Sequence, residues 1–142
     1  MGLESGGVNT RAVTGRGMDA TTLHVCLNVS DADRLAAWYE DNLGFEFSWE
    51  FATADGTGRN VYVADGEGFE LQLSDTDGED EFDPGTAYDH VAVAVEDVDA
   101  AFGSIDHHGV VKEPGDQPAA GARTAFVEDP DGHVVELIEP LE

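Results

Sequence analysis

Two stretches decide the fold. One is Thr22-Leu23-His24-Val25-Cys26-Leu27-Asn28-Val29-Ser30-Asp31-Ala32-Asp33; the other, 66 residues later, is Tyr88-Asp89-His90-Val91-Ala92-Val93-Ala94-Val95-Glu96-Asp97-Val98-Asp99. In the first, Leu23, Val25, Leu27 and Val29 alternate with Thr22, His24, Cys26 and Asn28, the period-two pattern of a strand with one buried face. Ser30, with Asp33 three residues on, reads as a helix N-cap with an acid in the first turn. Leu35, Ala36, Tyr39 and Leu43 then recur at helical spacing, and Gly44 supplies the stop. The second stretch predicts a strand, then a helix opened by Glu96 to Asp99, carrying Ala101, Phe102 and Ile105 and ended by Gly109.

Outward from these stretches the pattern continues twice over. Strand-like segments follow at Phe45 to Phe51, Arg59 to Val63 and Phe69 to Leu73. In the second half they lie at Val110 to Lys112, Thr124 to Val127 and His133 to Ile138. Each half therefore reads β-α-β-β-β, an α+β chain built from a tandem repeat. A register of 66 pairs His24 with His90, Asp31 with Asp97 and Asp33 with Asp99. Continued, it pairs Asp65-Gly66 with Asp131-Gly132 and Glu70 with Glu136. The expected organisation is a lead-in over 1–19, a first module over 20–74, an acidic linker over 75–86 and a second module over 87–142. The Gly-rich lead-in reads as disordered and lacks the apolar run of a signal peptide; Met18 is a candidate start. The linker's Asp75-Thr76-Asp77-Gly78 lacks the spacing of a calcium loop.

Composition limits the partners. The 142 residues hold 31 acids and 6 Lys or Arg, for a formal net charge of -25 and a pI of about 4.1. Arg11, Arg16, Arg34, Arg59, Lys112 and Arg123 are too few and too scattered to follow a phosphate backbone, so nucleic acid is excluded as a partner. An anionic membrane surface is disfavoured for the same reason. With 41% hydrophobic residues the chain can still build a core. Acids spread along the whole length point to a halophilic, cytoplasmic protein. At molar salt the Debye length falls to about 3 Å and self-repulsion is screened. One cysteine, Cys26, precludes an internal disulfide.

Chemistry is carried by polar residues opposite the apolar strand faces. Glu70 and Gln72 oppose Phe69, Leu71 and Leu73, and Glu136 opposes Val135 and Leu137. His24 and His90 open the first strand of each module on the corresponding face. His24, Glu70, His90 and Glu136 thus form a candidate set of two imidazoles and two carboxylates. The two anionic groups would balance a divalent ion. Mixed N and O donors suit Ni, Co, Zn, Mn or Fe, and four protein donors leave open positions for substrate. Trp38 and Tyr39 read as helix packing. His107, His108 and His133 read as solvated, Cys26 as a small buried side chain, and Gln72 as a supporting partner of the set.

At these residues the sequence resembles the vicinal oxygen chelate superfamily, and within it the glyoxalase I (lactoylglutathione lyase) branch. The resemblance runs from about residue 20 to the C-terminus. It is carried by Ala125-Phe126-Val127-Glu128-Asp129-Pro130-Asp131-Gly132 through Val135-Glu136-Leu137-Ile138-Glu139, by Leu23-His24 leading to Trp38-Tyr39 and Asn42-Leu43-Gly44-Phe45, and by Asp89-His90-Val91-Ala92-Val93. It implies paired βαβββ modules in a curved, open, eight-stranded barrel-like sheet. It also implies a homodimer, often with each metal site shared between chains, and a Ni- or Co-preferring site. The implied reaction isomerises the hemithioacetal of methylglyoxal and a thiol to an S-lactoyl thioester, a step in methylglyoxal detoxification. Glu136 would be the base and Glu70 its near-symmetric counterpart. Methylmalonyl-CoA epimerases resemble this pattern with Gln where the register places Glu70. Asn28 stands where many bacterial relatives have an Arg that contacts glutathione, and Arg123 is the base nearest the position of a missing Lys. Both are candidate substrate contacts, and the thiol stays open between glutathione and a smaller one such as γ-glutamylcysteine. An epimerase, a dioxygenase or a metal-free small-molecule-binding module on the same fold are the alternatives.

Overall fold

A computed structural model describes residues 19–83 and 85–142. The lead-in over 1–18 and Pro84 lie outside the described residues. The elements are β1 (His24–Asn28), α1 (Ala32–Leu43), β2 (Glu46–Ala52), β3 (Gly58–Ala64), β4 (Glu70–Thr76), β5 (Val91–Ala94), α2 (Val98–Ser104), β6 (Val110–Gln117), a 3-10 turn at Pro118–Ala120, β7 (Ala122–Glu128) and β8 (Val134–Pro140). They form two four-stranded mixed sheets, ordered β1-β4-β3-β2 and β5-β8-β7-β6. In each, the first strand pairs in parallel with the last and the remaining ladders are antiparallel. The tandem βαβββ architecture is as read from the sequence. Among the described residues no ladder joins the two sheets, so one chain forms no closed barrel.

The local chemistry explains the elements. Asp31, not Ser30, caps α1: its carboxylate accepts from the Asp33 and Arg34 amides. Ser30 instead gives its amide and hydroxyl to Asp131, each at 2.7 Å. Asp97, within the expected Glu96 to Asp99 opening, caps α2. Gly44 ends α1 at φ 74°, a left-handed conformation that costs glycine little. The second helix stops at Ser104 rather than running to Gly109, with Ile105 turning into extended backbone. β4 continues to Thr76, past the expected end of the first module, and Asp75 reaches back to accept from the Ala32 amide at 2.6 Å.

The core fills from alternating strand positions. Leu71 and Leu73 on β4, and Val135 and Leu137 on β8, are fully buried, with the partly exposed Gln72 and Glu136 between them. They join Leu27, Val29, Leu35, Tyr39, Phe45, Val61, Val63, Val98, Ala125 and Val127 in one cluster drawing on both modules. Burying a side chain of this size is worth about 1.5–3 kcal/mol. Hydrogen bonds also join the modules: Trp38 Nε1 to the Asp106 carbonyl (2.7 Å), the Asp106 amide to Asn42 (2.7 Å), and the Tyr39 hydroxyl to Asp129 (2.8 Å).

The single register of 66 does not survive into the hairpins. It holds for the first strand and helix cap, where Val29 and Val95, and Asp31 and Asp97, play matching parts. From β3 and β7 onward the offset is 64: Gly58–Ala64 corresponds to Ala122–Glu128, and Glu70–Thr76 to Val134–Pro140. The second module is two residues shorter between the helix cap and the next strand. Asp31 and Glu46 are 15 apart in number, Asp97 and Val110 only 13.

Candidate functional site

His90 stands immediately before β5, beside Glu136 on the neighbouring β8. Its Nε2 lies 2.9 Å from Glu136 Oε1, and its Nδ1 lies 2.6 Å from Asp89 Oδ1. The imidazole is thus held between two carboxylates. Asp89 fixes the Nδ1 side and leaves Nε2 facing Glu136, the arrangement that orients an imidazole for metal ligation. The ring meets Phe126 edge-on, with centroids 5.3 Å apart. Phe126 on β7 is also the cross-strand partner of Glu136, so strand pairing places all three side chains together.

In the first module His24 begins β1 directly opposite Glu70 in the parallel ladder. Its ring meets Tyr62 edge-on at 5.4 Å. Glu70 Oε2 accepts from Ser48 Oγ, a short contact of 2.5 Å from β2. Gln72, two residues along the same face, donates from Nε2 to Asn60 Oδ1 at 2.8 Å. His24 and Glu70 line a hollow of about 610 Å³ with Trp49, Tyr62 and Phe69.

The sequence-derived set therefore lies in two halves. Among the described residues no group of three or more His, Cys, Asp or Glu side chains converges tightly enough to hold a metal ion. His90 and Glu136 form a compact N,O pair whose chemistry suits a divalent ion. The pair supplies only part of a coordination sphere.

A larger cavity of about 810 Å³ lies between the modules. Its walls include Cys26, Asn28, Lys112, Phe126, Glu128 and His133. Asn28 is thus on a cavity wall, as a substrate contact requires. Arg123 is not: it donates from Nε and Nη2 to Asp99 (2.8 and 2.9 Å) and from Nη1 to Asp116 (3.0 Å). Arg59 is held likewise by Asp33 and Glu50. Lys112 is the lysine on the cavity wall, and among the described residues no arginine lines it. Cys26 is exposed rather than buried.

His133 departs furthest from its expected solvated state. Its side chain is 12% exposed, bonded through Nδ1 to Asp129 Oδ2 (2.8 Å) and through Nε2 to the Asn28 carbonyl (2.9 Å). Burial alone would lower its pKa. The Asp129 hydrogen bond and charge, the Asn28 carbonyl and the Asp131 charge outweigh that and hold it above the ordinary value. Burial, then the Asp129 carboxylate, pushes Tyr39 well up. Sequence reasoning also missed Tyr62, Phe126 and Asp89. For Asp89, adjacency to His90 was the available signal.

Residues 21–137 match the family model described as the Glyoxalase/Bleomycin resistance protein/Dioxygenase superfamily. The chain belongs to this superfamily. A curated relative, the lactoylglutathione lyase of Haemophilus influenzae, is 35% identical over 125 residues, covering 82% of this chain and 90% of that protein. Among solved structures, a trypanothione-dependent glyoxalase I of Leishmania major matches with a TM-score of 0.71 and 27% identity, over 85% of this chain and 87% of that one. Glyoxalase I from Zea mays matches with a TM-score of 0.74 and 28% identity over 85% of this chain, but only 45% of the maize chain is covered. These likenesses support a glyoxalase-type enzyme for this superfamily member. Among its described residues no helix is long and apolar enough to cross a membrane.

Proposed function

We propose that the protein is a metal-dependent lyase of the glyoxalase I type, isomerising the hemithioacetal of methylglyoxal and a small thiol to an S-lactoyl thioester. The observation that carries this reading is the 2.9 Å pairing of His90 Nε2 with Glu136 Oε1, in a chain whose curated relatives include lactoylglutathione lyases. The site would be completed by a second copy, bringing His24 and the polar face of β4 from one chain to His90 and Glu136 of the other. Supporting this is the open face of β2, where Trp49 and Phe51 stack on Tyr62 and are each more than 40% exposed. A homodimer would cover that face.

His24, His90 and Glu136, with Glu70 or its neighbour Gln72, would hold one divalent ion; Ni or Co is favoured, and Zn, Mn or Fe fits the donors. When bound, the ion supplies positive charge for the substrate oxygens. Glu136 takes the proton from the carbon bearing sulfur and returns it to the neighbouring carbonyl carbon. The hydroxyl proton moves to the other oxygen, so the ketone becomes a secondary alcohol and the hemithioacetal carbon a thioester. Lys112 and Asn28 on the cavity wall would meet the polar end of the thiol.

The experiment follows thioester absorbance from methylglyoxal plus glutathione or γ-glutamylcysteine in molar KCl, with metal analysis of the purified protein. Lyase turnover by the metal-loaded wild type, abolished in Glu136→Gln, is expected. Stoichiometric metal with no turnover on any thiol would point instead to another reaction of the superfamily. A protein that takes up no metal on reconstitution would be a binding module.

A further inference from the structure

We infer that the first module presents Gln72, rather than Glu70, at the metal position that Glu136 fills in the second. The inference rests on the metal-dependent reading above and specifies its ligand set.

The equivalence of the two modules is fixed by hydrogen bonds, not by sequence spacing. Asp65 Oδ1 accepts from the amides of Glu67 and Phe69, two and four residues on. Asp129 Oδ1 accepts from those of Asp131 and His133, again two and four residues on. Arg59 forks onto Asp33 as Arg123 forks onto Asp99. Asp75 caps the Ala32 amide as Glu139 caps that of Val98. The Val29 amide donates to the Ser74 carbonyl as that of Val95 donates to Ile138. In each match the β1 to helix-cap residues are offset by 66 and the hairpin residues by 64. Under that rule His24 corresponds to His90 and Tyr62 to Phe126. Gln72 corresponds to Glu136, and Glu70 to Val134.

The side chains agree. His24 meets Tyr62 edge-on at 83°, and His90 meets Phe126 at 86°. The cross-strand partner of Tyr62 is Gln72, and that of Phe126 is Glu136. Each module thus holds an imidazole, an aromatic ring and an oxygen-bearing side chain in one arrangement, with Gln72 in the place of the carboxylate. The Gln72 amide nitrogen is committed to Asn60, which leaves the carbonyl oxygen as the end available to a cation. Glu70 is engaged by Ser48, and its counterpart Val134 has no donor atom.

Two consequences follow. The set His24, Gln72, His90 and Glu136 carries one carboxylate, so a divalent ion leaves a net positive centre, suited to a substrate that becomes anionic where it chelates. Of the two oxygen-bearing members, Glu136 is also the one able to take and return a proton, because an amide cannot.

The test is titration of the apo-protein with Co2+, reading affinity and the visible absorption of the bound ion, with circular dichroism to confirm folding. Gln72→Ala should weaken binding at least about tenfold. Gln72→Glu should tighten binding and change the visible bands. Glu70→Gln should leave both readouts unchanged. Loss of affinity in Glu70→Gln, or an unchanged affinity and spectrum in both Gln72 variants, would overturn the inference while leaving the metal-dependent reading intact. Wild type that binds no Co2+, Ni2+ or Zn2+ would overturn both.

Discussion

His133 Nε2 lies 2.9 Å from the main-chain carbonyl oxygen of Asn28 and ties the last hairpin of the second module to β1 of the first. A carbonyl can only accept, so Nε2 carries a proton; Nδ1 faces the Asp129 carboxylate and carries another. The contact therefore favours the imidazolium. Because the folded pKa is raised, the stabilisation is fully present below the ordinary value of 6.5 and is lost as pH rises through the folded value. Melting curves from pH 5 to 9 at constant high salt should show wild type losing stability on the alkaline side. The His133→Gln variant should show a flatter profile, and parallel curves would remove His133 as the titrating group.

Asp129 is the hub of this junction. It is completely buried and accepts from the Tyr39 hydroxyl, two backbone amides and His133. Tyr39→Phe removes one bond to a charged acceptor and should cost about 1–3 kcal/mol in urea unfolding. Asp129→Ala also strands the imidazolium and should cost about 3–5 kcal/mol. Equal effects of the two substitutions would mean that the buried charge contributes nothing beyond one hydrogen bond.

Trp49 on β2 stacks on Tyr62 at 4.3 Å and on Phe51 at 5.4 Å, yet is 46% exposed. If a second copy covers this face, Trp49→Asp should shift sedimentation from dimer to monomer. Metal binding should fall with it, because each half-site loses its complement. A variant that stays dimeric would move the interface elsewhere.

The charge of -25 predicts a melting temperature that climbs between 0.1 and 2 M KCl as repulsion among exposed carboxylates is screened. Arg59 and Arg123 relieve that repulsion locally, each bridging two acids. Equal melting temperatures at the two salt concentrations would remove salt adaptation as the reason for the composition.

Much was legible in the residues alone. Alternation at 22–29, the helix openings at Ser30 to Asp33 and Glu96 to Asp99 and the stop at Gly44 are local features, governed by backbone sterics and nearest-neighbour hydrogen bonds, so the sequence determined the βαβββ repeat and put His24 and His90 in matching places. Register is different, because it depends on partners tens of residues away. Glu70 and Glu136 each lie 46 residues beyond their histidines, and that coincidence masks a two-residue shortening between the Asp97 cap and β6. Only strand pairing, which sets Glu70 opposite His24 but Glu136 opposite Ala92, decides that Gln72 stands where Glu136 does. The solvated reading of His133 failed for the same reason: its partners Asn28 and Asp129 are brought to it by the packing of one module on the other. Net charge and local pattern are sums over the chain itself, whereas which side chains meet is fixed when sheets twist, pair and bury their faces.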